Sequence, residues 1–316
     1  MSRKLHKFQT VAEYQAYSAS TEYTTPCVAV VEENNVIYYD YGNNKPQPNY
    51  TDYKVSSRSL VSDGGNTYGL DEKLYLNYIP SGVTSLERAF SKWSSLEEVT
   101  CEIPSGVTNM NNTFYGCSSL VTAPEIPSGV TNMEYTFRNC SSLVTAPEIP
   151  SGATRLYYTF ASCSSLVTAP EIPSGVTTLE YTFRDCSSLV TAPVIPSSVI
   201  IMSSTFRNCS SLVNAPNIPD SVTDMKYTFM DCSSLVTAPE IPSSDTSLDY
   251  TFSGCSSLKE VTFLQTTPPR YNNTLSDCSK LETIYVPDSA VDAYKTATGW
   301  SQFASKIKPL SKKPSE

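Results

Sequence analysis

The chain has 316 residues and a net charge of −9 at pH 7, and such an acidic surface repels phosphate backbones and argues against a nucleic-acid-binding protein. Hydrophobic residues make up 40% of the sequence, which argues against wholesale disorder. Because no apolar run reaches the roughly eighteen residues of a membrane span, and the first twenty residues lack an apolar signal-peptide core, we expect neither a membrane span nor a classical export signal.

The N-terminal 69 residues lack the periodicity of the remaining chain. Thr10 and Glu13 have the spacing of a helix capping box, which predicts a short helix directly after it. Residues 26–41 read as two strands around Asn34 and Asn35, a favourable hairpin turn, and residues 42–69 read as a linker. Because a module this small is marginal alone, we expect residues 1–69 to attach to the remaining chain, to a sister subunit or to a larger assembly.

Cysteines recur every 23 residues from Cys117 to Cys278, and a leucine follows each of them three residues later. One further unit lies upstream, is one residue longer, and has Trp93 and Leu96 in the same positions. A typical unit reads LVTAPEIPSGVTNMEYTFRNCSS, residues 120–142. Such a unit cannot bury its own apolar side, so the sequence predicts a solenoid in which stacked copies share one continuous core.

Each unit is expected to contain a very short strand, a turn and a short helical segment. Pro124 and Pro127 lack an amide hydrogen and shorten the strand. The segment from Met133 to Asn139 is predicted to be helical or 3₁₀. One phenylalanine per unit is predicted to form the core: Phe90, Phe114, Phe137, Phe160, Phe183, Phe206, Phe229 and Phe252.

The end of the chain, residues 288–316, is predicted to form a helical cap that closes the array. Asp288 is expected to be the N-cap of a helix that ends at Gly299. Val291 and Tyr294 should pack back onto the last repeat. A second amphipathic turn is expected to use Trp300, Phe303 and Ile307. The predicted domains are therefore residues 1–69, an array at 70–287 and the cap.

The repeat motif Phe-x-x-Cys-Ser-Ser-Leu, the Ile-Pro after the strand and the Val-Thr-x-Met/Leu that follows resemble the BspA-like leucine-rich repeats of Bacteroides-group bacteria. The resemblance covers roughly residues 70–310. It departs from the family pattern at Ala-Pro, where a larger aliphatic residue is more usual. The resemblance implies a leucine-rich-repeat solenoid of short parallel strands and short helical segments that contacts host molecules or other cells. The N-terminal segment also resembles segments of proteins from these bacteria and their phages.

The sequence offers little catalytic chemistry. His6 is the only histidine and lies near a terminus, so a Ser-His-Asp or Cys-His site is not expected. No Cys-x-x-Cys pair or phosphate-binding glycine motif occurs, and we expect no metal and no cofactor. The cysteine column is interpreted as reduced, buried structural thiols, with some disulfides or metal binding as alternatives.

Three columns of side chains are candidates for a ligand surface. The carboxylates could serve as a glycosidase pair or bridge calcium, but their regular repetition favours a solvated face. The tyrosines suit sugar stacking or protein contacts, or else act as half-buried spacers. The candidate residues are Thr122, Thr145, Thr168 and Thr237; Glu125, Glu148, Glu171 and Glu240; and Tyr135, Tyr158, Tyr181, Tyr227 and Tyr250.

These observations predict a non-enzymatic recognition or adhesion protein. Its partners are expected to be a cell-surface glycan or protein, with residues 1–69 joining it to a larger assembly. The absent export signal and the N-terminal resemblance favour a phage virion protein that attaches to a bacterial cell. The alternatives are an exported surface adhesin of a Bacteroides-group bacterium and a structural spacer, which the near-identical units would also suit.

Overall fold

The computed structural model describes residues 4–8, 27–31, 36–40, 54–57, 74–79, 82–244 and 247–314. The predicted capping box at Thr10 and the helix after it lie outside the described residues. Ten strands are described: β1 (Lys4–Phe8), β2 (Cys27–Val31), β3 (Val36–Asp40), β4 (Lys54–Ser57), β5 (Leu74–Tyr78), β6 (Leu96–Val99), β7 (Thr237–Ile241), β8 (Glu260–Phe263), β9 (Thr283–Val286) and β10 (Ile307–Pro309).

The N-terminal strands form one sheet with the start of the repeat array, in the order β1 to β6. β2 and β3 pair antiparallel, which is the hairpin pairing predicted from the sequence. The linker prediction for residues 42–69 was wrong at β4, because that strand satisfies backbone groups of β5 by pairing antiparallel with it. β5 in turn pairs parallel with β6, the strand of the first repeat.

In the middle of the array, the strands shrink to single parallel bridges. From Thr122 to Thr191, a proline follows the bridging threonine of each unit two residues later, such as Pro124 after Thr122, and it cannot donate to a longer ladder. The first ladder, as we name this row, joins Glu98, Thr122, Thr145, Thr168, Thr191, Asn214 and Thr237. Longer parallel pairing returns at the C-terminal end, where β7, β8, β9 and β10 form a four-stranded sheet.

The segment from Met133 to Asn139 consists of tight turns, so its prediction as a helix or 3₁₀ helix was wrong. The amide of Thr136 donates to the carbonyl of Met133, and that of Cys140 donates to the carbonyl of Phe137. Tyr135 and Asn139 have positive φ angles of 57° and 62°. A left-handed residue cannot continue a right-handed helix, so every turn is interrupted as soon as it closes.

These turns instead bond from one repeat to the next and form what we name the turn ladder. Every second amide in the segment donates to a carbonyl 22 residues further along the chain, over 2.8 to 3.0 Å. The donors and acceptors are Met133 to Arg155, Tyr135 to Tyr157, Phe137 to Thr159 and Asn139 to Ala161. Backbone groups that a helix would pair internally therefore hold the stack together.

The core confirms the predicted leucine-rich-repeat solenoid. The phenylalanine column is fully buried, and its successive rings stack with centroids 5.5 to 5.7 Å apart. The cysteine and leucine columns line the same interior. A threonine column, absent from the sequence-based prediction of the core, is also buried: Thr113, Thr136, Thr159, Thr182, Thr205, Thr228, Thr251 and Thr274.

The C-terminal cap is less helical than predicted. It contains helix α1 (Val291–Thr296) and the 3₁₀ segments Asp288–Ala290, Ser301–Phe303 and Leu310–Lys312. Asp288 makes no side-chain cap, because its carboxylate accepts a hydrogen bond from the amide of Ser311 instead, at 3.0 Å. Ile307 lies in β10 rather than in a helical turn, since β10 extends the sheet beside β9.

Candidate recognition surfaces

The short strands of the array expose a face built from three side-chain columns, which we name the Val/Thr/Glu face. Because the side chains of successive residues in an extended segment point to opposite sides, the side chain after each buried leucine points outward. Valines therefore form an apolar row in which each side chain is 39 to 46% exposed: Val121, Val144, Val167, Val190 and Val213. The exposed candidates Thr122, Thr145, Thr168 and Thr237, and the exposed carboxylates of Glu125, Glu148, Glu171 and Glu240, share these segments.

Three grooves open beside the glutamate column. The first has a volume of about 590 Å³ and contains Glu125, Cys101 and Glu102 in its wall. The second, of about 270 Å³, is lined by Val194 and Asn217, which replace the glutamate in two units. The acidic column is therefore interrupted by one apolar and one amide side chain before it resumes at Glu240.

The third groove, of about 890 Å³, lies where the C-terminal segment crosses the array. Its wall contains Glu240, whose carboxylate forms an ion pair with Lys313 at 2.9 Å. The charge of Glu240 is thus already neutralised within the chain, unlike the charges of Glu125, Glu148 and Glu171, for which the described residues give no ion pair.

The tyrosine candidates lie on the turn ladder and not on the Val/Thr/Glu face, so the structure does not merge the two sets into one site. All five are half-buried. The ring of Tyr158 lies between those of Tyr181 and Tyr135, with centroids 4.4 and 5.2 Å away and interplanar angles of 5° and 7°. Tyr227 and Tyr250 form a second stack with centroids 5.1 Å apart.

This stacking changes what the tyrosine column can bind. Both faces of the Tyr158 ring are covered, so a sugar ring has no free face there to stack on. What remains for contact is the ring edges and the phenol hydroxyls. Burial raises the pKa of the Tyr157 hydroxyl to about 12, so this group stays a protonated donor at neutral pH.

Sequence reasoning missed Tyr157 and Arg138. Tyr157 occupies a position that is Glu134 and Glu180 in the neighbouring units, and its ring meets Tyr158 edge-on with centroids 4.7 Å apart. The guanidinium carbon of Arg138 lies 4.5 Å from the centroid of Tyr158. An alignment of the units would have identified Tyr157, because it is an aromatic residue where the two neighbouring units have glutamate.

The cysteine column is chemically inert. Each thiol of the column is free, and burial holds the pKa of Cys117, for example, well above its ordinary value. Cys101, outside the column, is only partly buried, and desolvation raises the pKa of its thiol to about 11. Since the thiolate is the reactive form, neither site is prepared for nucleophilic chemistry.

Two further chemical features of the described residues bear on function. Among them, no group of three or more histidine, cysteine or acidic side chains is placed to hold a metal ion. No helix in the described part of the chain has the length and apolar character needed to cross a membrane.

Comparison with known proteins agrees with this repeat architecture. A model of the BspA type leucine-rich repeat region matches six copies over residues 71–190, 111–236 and 180–298, together more than half of the chain. The chain belongs to the BspA-type leucine-rich repeat family. Its 23-residue units are thus BspA-type repeats, and the columns described above are surfaces and core of a BspA-type array. No curated protein matches the chain.

Two solved structures illustrate the similarity. A leucine-rich repeat protein from Bacteroides ovatus ATCC 8483 is 26% identical, with a TM-score of 0.51 over 68% of this chain. The match spans 61% of that protein, so this BspA-type chain accounts for less than two thirds of its length. A leucine rich cell surface protein from Faecalibacterium prausnitzii A2-165 is 19% identical, with a TM-score of 0.37, over 84% of this chain and 95% of that one.

Proposed function

We propose that this BspA-type protein is a non-enzymatic recognition protein whose Val/Thr/Glu face binds a cell-surface glycan or a basic patch of a surface protein. The composition of that face carries the proposal. Exposed valines recur there in five successive units, exposed threonines in the first four of them and exposed glutamates in the first three. The segments 120–126, 143–149, 166–172 and 189–195 contain no lysine or arginine. Carboxylates and hydroxyls bond to sugar hydroxyls or to cationic side chains.

Exposed valines give the same face an apolar component. Large aliphatic side chains aligned over five successive units form one continuous strip, and such strips on soluble proteins mark contact sites. The apolar faces of pyranose rings and the stems of lysine or arginine both fit a strip of this kind. The grooves beside Glu125 and Val194 add concave sites along it.

The proposal includes where the protein works. One version attaches it to a phage particle through residues 1–69, with the array facing a bacterial cell. The other displays it as a surface adhesin of a Bacteroides-group bacterium, and membership of the BspA-type family supports that version equally well. The near-identity of units such as TAPEIPSG supports a third role, a rigid spacer within a larger assembly.

A cell-binding assay with the full-length, labelled protein tests the proposal against a panel of Bacteroides-group strains. We expect saturable binding to some strains, and loss of binding after surface polysaccharide is oxidised with periodate if a glycan is the partner. Replacing Glu125, Glu148 and Glu171 by Gln should weaken binding at least tenfold. The matched control removes three exposed carboxylates elsewhere, by E87Q, E282Q and D292N, and should leave binding unchanged.

Two results would contradict the proposal. Absence of binding to every strain would favour the spacer role. Equal weakening by the two triple variants would attribute binding to overall charge and not to the Val/Thr/Glu face, because both sets remove the same number of carboxylates.

A further inference from the structure

Arg138 is held against aromatic rings. Its guanidinium carbon lies 4.5 Å from the ring centroid of Tyr158, 5.6 Å from that of Tyr135 and 5.7 Å from that of Tyr115. Three tyrosines from three successive units therefore surround one cation. Stacking on rings fixes the plane of a guanidinium group but leaves the N–H donors in that plane available.

No described carboxylate lies within ion-pair distance of Arg138, whereas Arg184, at the equivalent position two units later, contacts the carboxylate of Asp185 at 3.2 Å. Arg184 also lies close to a single tyrosine, with its guanidinium carbon 5.9 Å from the centroid of Tyr181. The two arginines thus occupy the same column with different partners. Arg138 is oriented and has unused donors, which is the state of a preorganised anion site.

The surroundings of Arg138 limit which anion fits. Glu134, four residues earlier, accepts a hydrogen bond from the side chain of Asn111 at 3.3 Å, and its negative charge disfavours a dianion such as phosphate. The phenol hydroxyls of the tyrosine cluster add neutral donors and acceptors. A sugar unit that carries one negative charge and several hydroxyl groups matches this set better than a phosphate or an acidic peptide side chain without hydroxyl groups does.

We propose that Arg138, with Tyr115, Tyr135 and Tyr158, binds the carboxylate of an acidic sugar such as a uronic acid residue. The inference rests on the proposed function, because it names a class of glycan that a recognition protein of this kind would bind. Apart from the Val/Thr/Glu face, it adds a second site for a glycan on the turn ladder, where the stacked rings offer hydroxyls and a fixed guanidinium group but no free ring face. Bidentate pairing with the guanidinium group would select carboxylated over neutral sugars.

Isothermal titration calorimetry of the full-length protein with trigalacturonic acid tests this site, at low ionic strength because the contact is charge-assisted. We expect saturable binding of the acid and at least tenfold weaker binding of its methyl ester, which keeps the rings but lacks the charges. R138Q should weaken binding of the acid at least tenfold. R184Q, the matched control, should leave it within twofold, because Arg184 is already paired with Asp185.

R138K provides a second variant that keeps the charge and is expected to weaken binding as well, since lysine cannot reproduce the planar fork. The proposal is overturned if the wild-type protein binds no trigalacturonic acid, if the methyl ester binds equally, or if R138Q and R138K bind like wild type. A glutamate-rich peptide that binds as tightly as the sugar acid would also overturn it. If the sugar acid fails these tests but the protein still binds cells, only the Arg138 site is overturned and the proposed recognition function stands. If the protein binds the sugar acid as expected but binds no cells, only the proposed recognition function is contradicted.

Discussion

The thiol of Cys140 donates a hydrogen bond to the backbone carbonyl of Phe114, 3.2 Å away in the preceding repeat. The same bond recurs along the column, for example from Cys163 to Phe137 at 3.1 Å. Each of these thiols is the second donor to its carbonyl, since the carbonyl of Phe114, for example, already accepts a hydrogen bond from the amide of Cys117. The column is a set of polar contacts between repeats, made by a side chain small and apolar enough to be buried.

Alkaline pH should destabilise the array through these thiols. An unfolded cysteine loses its proton near pH 9, while burial raises the pKa of thiols such as Cys163 and Cys186 well above that value. Above pH 9 the unfolded state therefore binds fewer protons, and the free energy of unfolding falls by about 1.4 kcal/mol per pH unit for each buried thiol.

Urea titrations between pH 8 and 10.5 measure this slope. In a C163A/C186A variant, the slope above pH 9 should be shallower by roughly 3 kcal/mol per pH unit than in wild type. An unchanged slope would mean that these two thiols ionise equally in the folded and unfolded states.

Removing a hydroxyl from the buried threonine column should cost stability. The hydroxyl of Thr159 donates to the carbonyl of Met133 in the preceding repeat, at 2.9 Å. T159V keeps the shape and removes this bond between repeats, while the carbonyl of Met133 still accepts hydrogen bonds from Thr136. The free energy of unfolding should therefore fall by about 0.5–1.5 kcal/mol, the net value of one hydrogen bond. T168V, on the exposed Val/Thr/Glu face, should change it by less than about 0.5 kcal/mol. Equal effects of the two variants in urea unfolding would contradict the role of the column.

The C-terminal cap should depend on Trp300. Its side chain is fully buried, and its indole N–H donates to the carbonyl of Pro269 at 2.7 Å. W300A should lower the free energy of unfolding by about 3–5 kcal/mol, while W300F, which retains a ring, should lower it by less. Hydrogen exchange should show the loss first in β9 and β10. Uniform loss of protection throughout the array would instead indicate that the cap and the repeats unfold as one unit.

Gly254 should resist substitution because of its backbone conformation. Its φ angle is 77°, and an added Cβ would lie 3.3 Å from the Cα of Asp231 in the preceding unit. G254A should therefore cost about 1–2 kcal/mol of stability. A Cβ added at Gly152 would have no contact closer than 3.8 Å, so G152A should be neutral or slightly stabilising. Thermal unfolding of both variants checks this, and a neutral G254A would contradict it.

Periodicity predicted the parts of the fold that repeat. Columns such as that of Phe137 and Cys140 were assigned to the core because an apolar residue at fixed spacing is buried in every unit or in none. The segment from Met133 to Asn139 was assigned wrongly because the i, i+4 spacing of Met133 and Phe137 is also that of a helix. Bonding between units, which no single unit encodes, allows Tyr135 to take a left-handed conformation there.

The candidate surfaces were predictable only in part. The exposure of Glu125 follows from its charge, but the stacking of Tyr158 on Tyr181 depends on the rise between repeats and on the direction of the side chains. The ion pair of Glu240 with Lys313 joins residues 73 positions apart, so no local pattern indicates it. The N-cap prediction for Asp288 failed for the same reason, because the amide that donates to its carboxylate belongs to Ser311, 23 residues later in the chain.

The turn ladder has a consequence for evolution. Because each unit donates to the next the same bonds that it accepts from the previous one, as from Tyr135 to Tyr157, the two sides of a unit are complementary. A whole unit can therefore be gained or lost by recombination between near-identical stretches without creating a new interface. The length of the array can therefore change in steps of about 4.8 Å, the spacing of neighbouring strands, while the segments at its two ends remain the same.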